Sequence, residues 1–255
     1  MRVLYCGDTQ VDTIISSKGF DTFTHSYFRD GSHILRDALS SAGIECDHMP
    51  ADRVRSEFPG TADELAAAYD VVILSDVGYN NFALLPGNRP PLAVPLGASR
   101  PIAIRDYVAN GGGLIMAGGW LSFSGLEGKG IYGGTLIEEA LPVTCLRGQD
   151  DRAEVSEGVR FTIDRPEHEL VAGLPWDDPY LVVGYNRVQS RPEATVVASL
   201  GPDPALVVWE YGKGRSLVYV VDPSTHWGGT FLSWSAYGEF WGRLVRWTAG
   251  QPVQQ

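Results

Sequence analysis

The chain has 255 residues, 44% of them hydrophobic and 20% charged, with a formal net charge of -11. That length can bury a sizeable core, and the acidity excludes nucleic acid and anionic membrane surfaces as default partners. No apolar run approaches membrane-spanning length, and the three cysteines, Cys6, Cys46 and Cys145, are too scattered for a disulfide framework or a zinc motif, which points to the cytoplasm.

Val3 to Cys6 predicts a first strand, ended by Gly7-Asp8, and the N-terminus is too soon interrupted for a signal peptide. Residues 9–29 are polar and aromatic and read as a long loop. Loops of that length are commonly functional or mobile, so a flap over a site and a plain surface loop both stay open. Ile34, Leu35, Ala38 and Leu39 fall at helical spacing, with Asp30 or Ser32 as cap and Gly43 as stop. Ile44 to Met49 reads as a second strand, and Pro50 and Pro59 bracket a connection. Thr61-Ala62-Asp63-Glu64 is a capping box for a short helix. Asp70 to Asp76 is a buried strand ending in a carboxylate. The order β-α-β-α-β predicts a parallel sheet with right-handed crossovers.

Val77 to Arg100 reads as a loop with one helical turn near Phe82, and Pro101 to Asn110 as a helix. Leu114 to Ala117 is a short apolar run between glycines, as a strand buried on both faces requires. Gly118-Gly119 follows, where the backbone turns tightly and another group approaches closely. Ligands of open α/β sheets bind beyond the carboxyl ends of the strands, so Trp120 is expected to stand at a site. Residues 125–134 read as glycine-rich and exposed, and Thr135 to Leu141 as a short helix. From Val143 the pattern changes to strands, at 143–147, 159–163, 181–188, 195–200, 205–211 and 217–221, with a hairpin turn at 211–215 and a helical turn at 168–174. Trp234, Tyr237, Trp241, Leu244 and Val245 give a last helix over 233–248. One domain is expected over 1–250, with a β-rich elaboration at about 143–217 and a tail at 251–255.

The turn at Trp120 has the form of a nucleophile elbow, Gly-x-Ser/Cys-x-Gly, which sets a reactive side chain beside backbone N–H donors. An indole carries no nucleophilic oxygen or sulfur. Ser122 and Ser124 lie nearby, and turn bonds are their ordinary use. The ligand-binding candidates are Gly118, Gly119, Trp120 and Ser122 at the turn, Asp76, Gly78 and Tyr79 after the preceding strand, and Trp227, whose ring with Trp120 offers a stacking surface. A late strand ends in Asp222, and His226 follows on the loop. That is where a general base and its orienting carboxylate belong, so His226 and Asp222 are the catalytic candidates. Asp8, Asp76 and Asp222 all end strands and are expected on one rim, where carboxylates shift pKa values, bind a cation or cap turns. The remaining histidines, His25, His33, His48 and His168, lack metal-ligand spacing, and no metal or cofactor is expected.

Three stretches, Leu114-Ile-Met-Ala-Gly-Gly-Trp-Leu-Ser-Phe-Ser-Gly125, Tyr211-Gly-Lys-Gly-Arg215 and Asp222-Pro-Ser-Thr-His-Trp-Gly228, resemble the class I glutamine amidotransferase-like superfamily, and most of all its branch without an assigned function. The likeness covers nearly the whole chain. It implies a flavodoxin-like three-layer α/β sandwich with a mostly parallel central sheet and a β-rich C-terminal half. In active members an elbow cysteine attacks the side-chain amide of glutamine, a histidine deprotonates it, and a glutamate two residues further on orients the histidine. By position Trp120 replaces that cysteine, His226 matches the histidine, and Gly228 stands where the glutamate belongs. Two readings follow. In one, the crevice binds a small polar ligand, and any hydrolase or amidase-like activity runs through His226 and a carboxylate without a thiol. In the other, the chain is a non-catalytic binding or oligomerisation module, like amidotransferase-like domains of some carbohydrate-active proteins, with a homo-oligomer interface built from 9–29 and the last helix.

Overall fold

The structure, a computed structural model, describes residues 1–84 and 97–253. Its first half alternates strand and helix: β1 (Arg2–Gly7), the pair β2 (Thr9–Lys18) and β3 (Asp21–Asp30), α1 (His33–Ser41), β4 (Glu45–Met49), α2 (Ala51–Glu57), α3 (Ala62–Ala68), β5 (Val71–Ser75), α4 (Asn80–Ala83), α5 (Arg100–Ala109) and β6 (Gly113–Ala117). After α6 (Leu136–Glu139) come β7 (Val143–Cys145), β8 (Arg152–Val159), β9 (Phe161–Ile163), β10 (Val182–Asn186), β11 (Val188–Ser190), β12 (Thr195–Leu200), β13 (Asp203–Tyr211) and β14 (Gly214–Tyr219), and α7 (Tyr237–Thr248) closes the fold.

Among the described residues, eight strands form one mixed sheet in the order β4-β1-β5-β6-β14-β13-β12-β9. The first five run parallel, and β13, β12 and β9 extend the sheet antiparallel. Strands β5 and β6 are buried at every residue. Covered on both faces, they read as continuous apolar runs rather than as an alternation. Helix α1 packs with α7, and α3 packs with α5. The capping box at Thr61 and Glu64 forms on both sides, so α3 starts where its sequence says. No described helix is long and apolar enough to cross a membrane.

Several expectations are corrected. Residues 9–30 are not a loop but a two-stranded antiparallel hairpin, from Thr9 opposite Asp30 to Lys18 opposite Asp21. Its β-branched and aromatic residues favour strands, but charges and hydroxyls between them hide the alternation. The connection between the prolines holds α2, with Pro50 at its N-cap. Residues 125–134 are not simply exposed: Tyr132 is fully buried, and its hydroxyl donates to Val77 O at 2.5 Å. The strand expected at 181–188 divides into β10 and β11, and β8 begins seven residues before the expected 159. The last helix starts at Tyr237; residues 229–233 form a 3-10 turn, and Trp234 is extended between the two. Residues 168–174 do make the expected helical turn: Ala172 N donates to His168 O at 2.9 Å, and Gly173 ends it at a φ of 72°. Ser32 precedes α1 but caps nothing with its hydroxyl, which donates to Asp30 Oδ1 at 2.6 Å. The turn near Phe82 is α4, and residues 85–96 of that loop lie outside the described residues.

Candidate functional site

The carboxyl ends of β1, β5, β6 and β14 meet over one cavity of about 160 Å³. Asp8 follows β1, Asp76 follows β5, Trp120 stands beyond β6, and Asp222 and His226 lie beyond β14; all five line the cavity. The root of the hairpin, including Arg29 and Asp30, completes the wall. His226 Nδ1 lies 3.4 Å from Asp222 Oδ2. The ring of His226 meets the Trp120 indole edge-to-face at 4.5 Å between centroids. Among the described residues Trp120 Nε1, a buried donor, has no hydrogen-bond partner.

The acids are held in an unusual way. Asp8 and Asp76 both have positive φ, 50° and 44°. A non-glycine residue there costs on the order of 1 kcal/mol or more and persists only where its surroundings impose it. Tyr5 Oη donates to Asp8 Oδ2. Burial first, then the charges of Asp222 and Asp76, push the Asp8 carboxyl well above the usual range and favour its protonated form. Burial, then Asp222, lifts Asp76 to about 6. Asp222 is buried, and its Oδ1 accepts from Ser224 N at 2.7 Å.

Asp76 also defines what the elbow does here. The backbone N–H of Leu121, the residue after the elbow position, donates to Asp76 Oδ1 at 2.7 Å, and the N–H of Trp120 donates to the same side chain. Gly119 N donates to Asn186 Oδ1 at 2.9 Å. In acyl-transfer enzymes the donor after the nucleophile is kept for the oxyanion of the reaction. Here a resident carboxylate occupies it. The glycines are needed for this closeness: a Cβ on Gly118 would sit 2.1 Å from Val220 O, and one on Gly119 2.6 Å from Asp76 Cβ.

Comparison with known proteins agrees with this architecture. The family model described as "Putative glutamine amidotransferase" matches residues 2–250. The chain belongs to the class I glutamine amidotransferase-like family. Two solved structures from Salmonella typhimurium are similar over nearly their full length. The cytoplasmic protein STM3548 is 39% identical, with a TM-score of 0.91 over 97% of this chain and 99% of the other. The cytoplasmic protein STM1381 is 37% identical, with a TM-score of 0.89 and the same coverage. A ThuA-like protein of Parabacteroides merdae, 14% identical with a TM-score of 0.54 over 100% of this chain and 92% of its own, shares the fold alone. No curated protein matches.

Within this amidotransferase-like framework the expected residues separate into two groups. Asp76, Trp120, Asp222 and His226 line the cavity, while Gly118, Gly119, Ser122, Gly78, Tyr79 and Trp227 lie outside its lining. Ser122 is buried, and its Oγ accepts from Asp76 N at 3.0 Å, so it shapes the strained turn. Tyr79 packs edge-to-face on Tyr132. Trp227 is buried with its indole against Gly184 and stacks behind His226 at 4.8 Å. It supports the imidazole and offers no open face of the kind expected.

Two supporting residues were not anticipated. Asn186, at the end of β10, brackets the Gly119 peptide: its Nδ2 donates to Gly119 O at 3.2 Å and to Asp151 Oδ1 at 2.8 Å. Asp151 in turn accepts from Ser124 N and Gly125 N at 2.8 and 3.0 Å. Burial lifts this carboxyl to about 6 against those hydrogen bonds. The available signal was a lone amide ending the apolar run Val182 to Tyr185. A polar side chain in that position needs buried partners.

Proposed function

We infer that the cavity binds a small polar ligand carrying hydroxyl or amide groups, and that the protein works without thiol chemistry. The observation that carries this reading is the convergence of Asp76, Trp120, Asp222 and His226 from separate strand ends on one cavity. Its volume is below the roughly 300–1,000 Å³ of sites for drug-sized molecules, which suits a ligand of few heavy atoms. Perturbed carboxyls in a cleft and backbone strain at two lining aspartates both favour a site over a structural cluster. His226, with Asp222 behind Nδ1, offers Nε2 as a base. Asp76, near pH 6, is the matching proton donor. Proton transfer, not acyl-enzyme formation, is the chemistry these groups support, and an amidase or hydrolase activity would run through activated water.

The parallel strand order, which numbers as 2-1-3-4-5 along the chain, supports a flavodoxin-like core. We read residues 1–250 as one domain, with β7 to β13 as a β-rich elaboration. Three free cysteines and the likeness to the cytoplasmic proteins STM3548 and STM1381 support a cytoplasmic location.

The test is a thermal-shift screen with glutamine, asparagine, small amides and monosaccharides, on the wild type and on His226→Ala and Asp222→Asn. At 100 times its Kd a ligand stabilises by about 2.7 kcal/mol, which for a chain of this size raises Tm by roughly 5–10 °C. A shift in the wild type that both variants lose supports the site. Equal shifts in all three proteins, or none in any, rejects it.

A further inference from the structure

The β2–β3 hairpin has a surface that its own chain leaves uncovered. Each strand is ten residues long, or about 33 Å, and among the described residues the two pair only with each other. The body holds the root, where Thr9 Oγ1 accepts from Ala51 N and Asp8 O accepts from Gly31 N, each at 2.8 Å. All of β3 is exposed. A lone two-stranded hairpin of this length is marginal in water, and its open edges invite pairing.

The register divides its side chains between two faces. Val11 opposite Phe28, Thr13 opposite Ser26, Ile15 opposite Thr24 and Ser17 opposite Thr22 share one face. Beyond the root, where Asp30 stands opposite Thr9, that face carries no charge, in a chain of net charge -11. The charged pairs, Asp12 with Arg29 and Lys18 opposite Asp21, belong to the other face and its ends. Val11, Ile15 and Phe28 are 61%, 71% and 54% exposed, and Phe20 at the tip is fully exposed. Ile14, Phe23 and Tyr27 add further exposed apolar surface behind them. At about 200 Å² for a large apolar side chain, Val11, Ile15 and Phe28 on this face and Phe20 at the tip together present roughly 600 Å², the lower end of what each partner buries in a standard stable complex.

We propose that the hairpin is a dimerisation arm, whose charge-free face packs on the same face of a second copy of this chain. Its chemistry selects a copy of itself. A two-fold interface must be self-complementary; hydroxyl side chains both donate and accept, and apolar surface has no sign. Two acidic bodies repel each other least where neither carries a charge. The arm's root supplies Arg29 and Asp30 to the cavity wall, so association anchors that wall from outside. This inference stands apart from the ligand reading above.

The experiment is sedimentation equilibrium of the full chain from 2 to 200 μM, with Ile15→Lys/Phe28→Lys and Ile15→Glu/Phe28→Glu variants. These positions are exposed, so each variant should keep a cooperative unfolding transition, lowered from that of the wild type by no more than the lost association accounts for. The wild type is expected at twice the 27.7 kDa of one chain, each variant alone at the single mass with Kd raised at least 100-fold, and the mixed Lys and Glu variants restored to the double mass. Hydrogen exchange of the wild-type arm should slow as concentration rises. A wild type at single-chain mass throughout, variants that keep the wild-type mass, or an arm protected only by added lipid vesicles or another protein would each overturn the proposal.

Discussion

At the scale of single residues, Asp76 concentrates the physics of the site. It accepts the two N–H groups of the elbow, adopts a left-handed backbone and is pushed up to about 6. Asp151, on the far side of the same turn, is also lifted to about 6. A carboxyl whose folded pKa is raised holds more protons folded than unfolded between the two values. Stability from these groups is therefore full below about pH 4 and is lost as pH rises to about 6. Asp76→Asn keeps an accepting oxygen, and asparagine tolerates positive φ. The variant is expected to flatten the fall of Tm between pH 4 and 6 and to gain about 1–3 kcal/mol at pH 7. A Tm-pH profile that superimposes on the wild type would show that Asp76 does not carry the proton. The expectation that Asp8, Asp76 and Asp222 crowd one rim followed from where apolar runs stop. Their strain and mutual repulsion did not, because those depend on distances across three strands.

At the scale of elements, the turn after β6 is shaped by what reaches it from elsewhere. Gly118 and Gly119 were legible as a tight turn, and the structure adds what they make room for, Val220 on one side and Asp76 on the other. Asn186 arrives from β10, 67 residues later, to hold the Gly119 peptide. Replacing it by alanine strands Gly119 N and removes a donor from the buried Asp151. Asn186→Ala is expected to cost about 3 kcal/mol, read as a lower urea midpoint with an unchanged slope. A loss below about 0.5 kcal/mol would mean that the turn holds its shape unaided. The hairpin at 9–30 went unread for a related reason. Its partner strand lies within the segment, but its alternation of apolar and hydroxyl residues faces no core of this chain, so the usual contrast between inside and outside is missing.

At the scale of the whole molecule, an aromatic cluster ties the strand-rich half to the last helix. Phe231 is fully buried and meets Trp176, Trp234, Tyr180 and Phe240 with ring centroids 5.0–6.4 Å apart. Truncating it leaves a cavity where β9, α7 and the turn before α7 join. Phe231→Ala is expected to cost about 3–5 kcal/mol and to lower Tm by roughly 10 °C. Near-UV circular dichroism should change in step, since several rings lose their packing at once. The helical period of Trp234, Tyr237 and Trp241 was visible in the sequence. The sequence did not show that Trp234 belongs to an extended link before α7 and packs on Trp176 at 4.6 Å.

Local pattern by itself determined the alternating strands and helices of the first half, the buried runs of β5 and β6, the capping box of α3 and the placing of an indole, Trp120, just after the double glycine that follows β6. Each rests on periodicity or on residue chemistry within a few positions, which a sequence states directly. Only the tertiary structure decided which candidates face the cavity, that Trp227 backs His226 instead of flanking a ligand, and that Asp76 and Asn186 occupy the elbow's N–H groups. Asp76 and Asn186 reach the elbow from 45 and 67 positions away, and Trp227 turns inward against the distant Gly184; no local pattern encodes which distant group will meet a given side chain or donor.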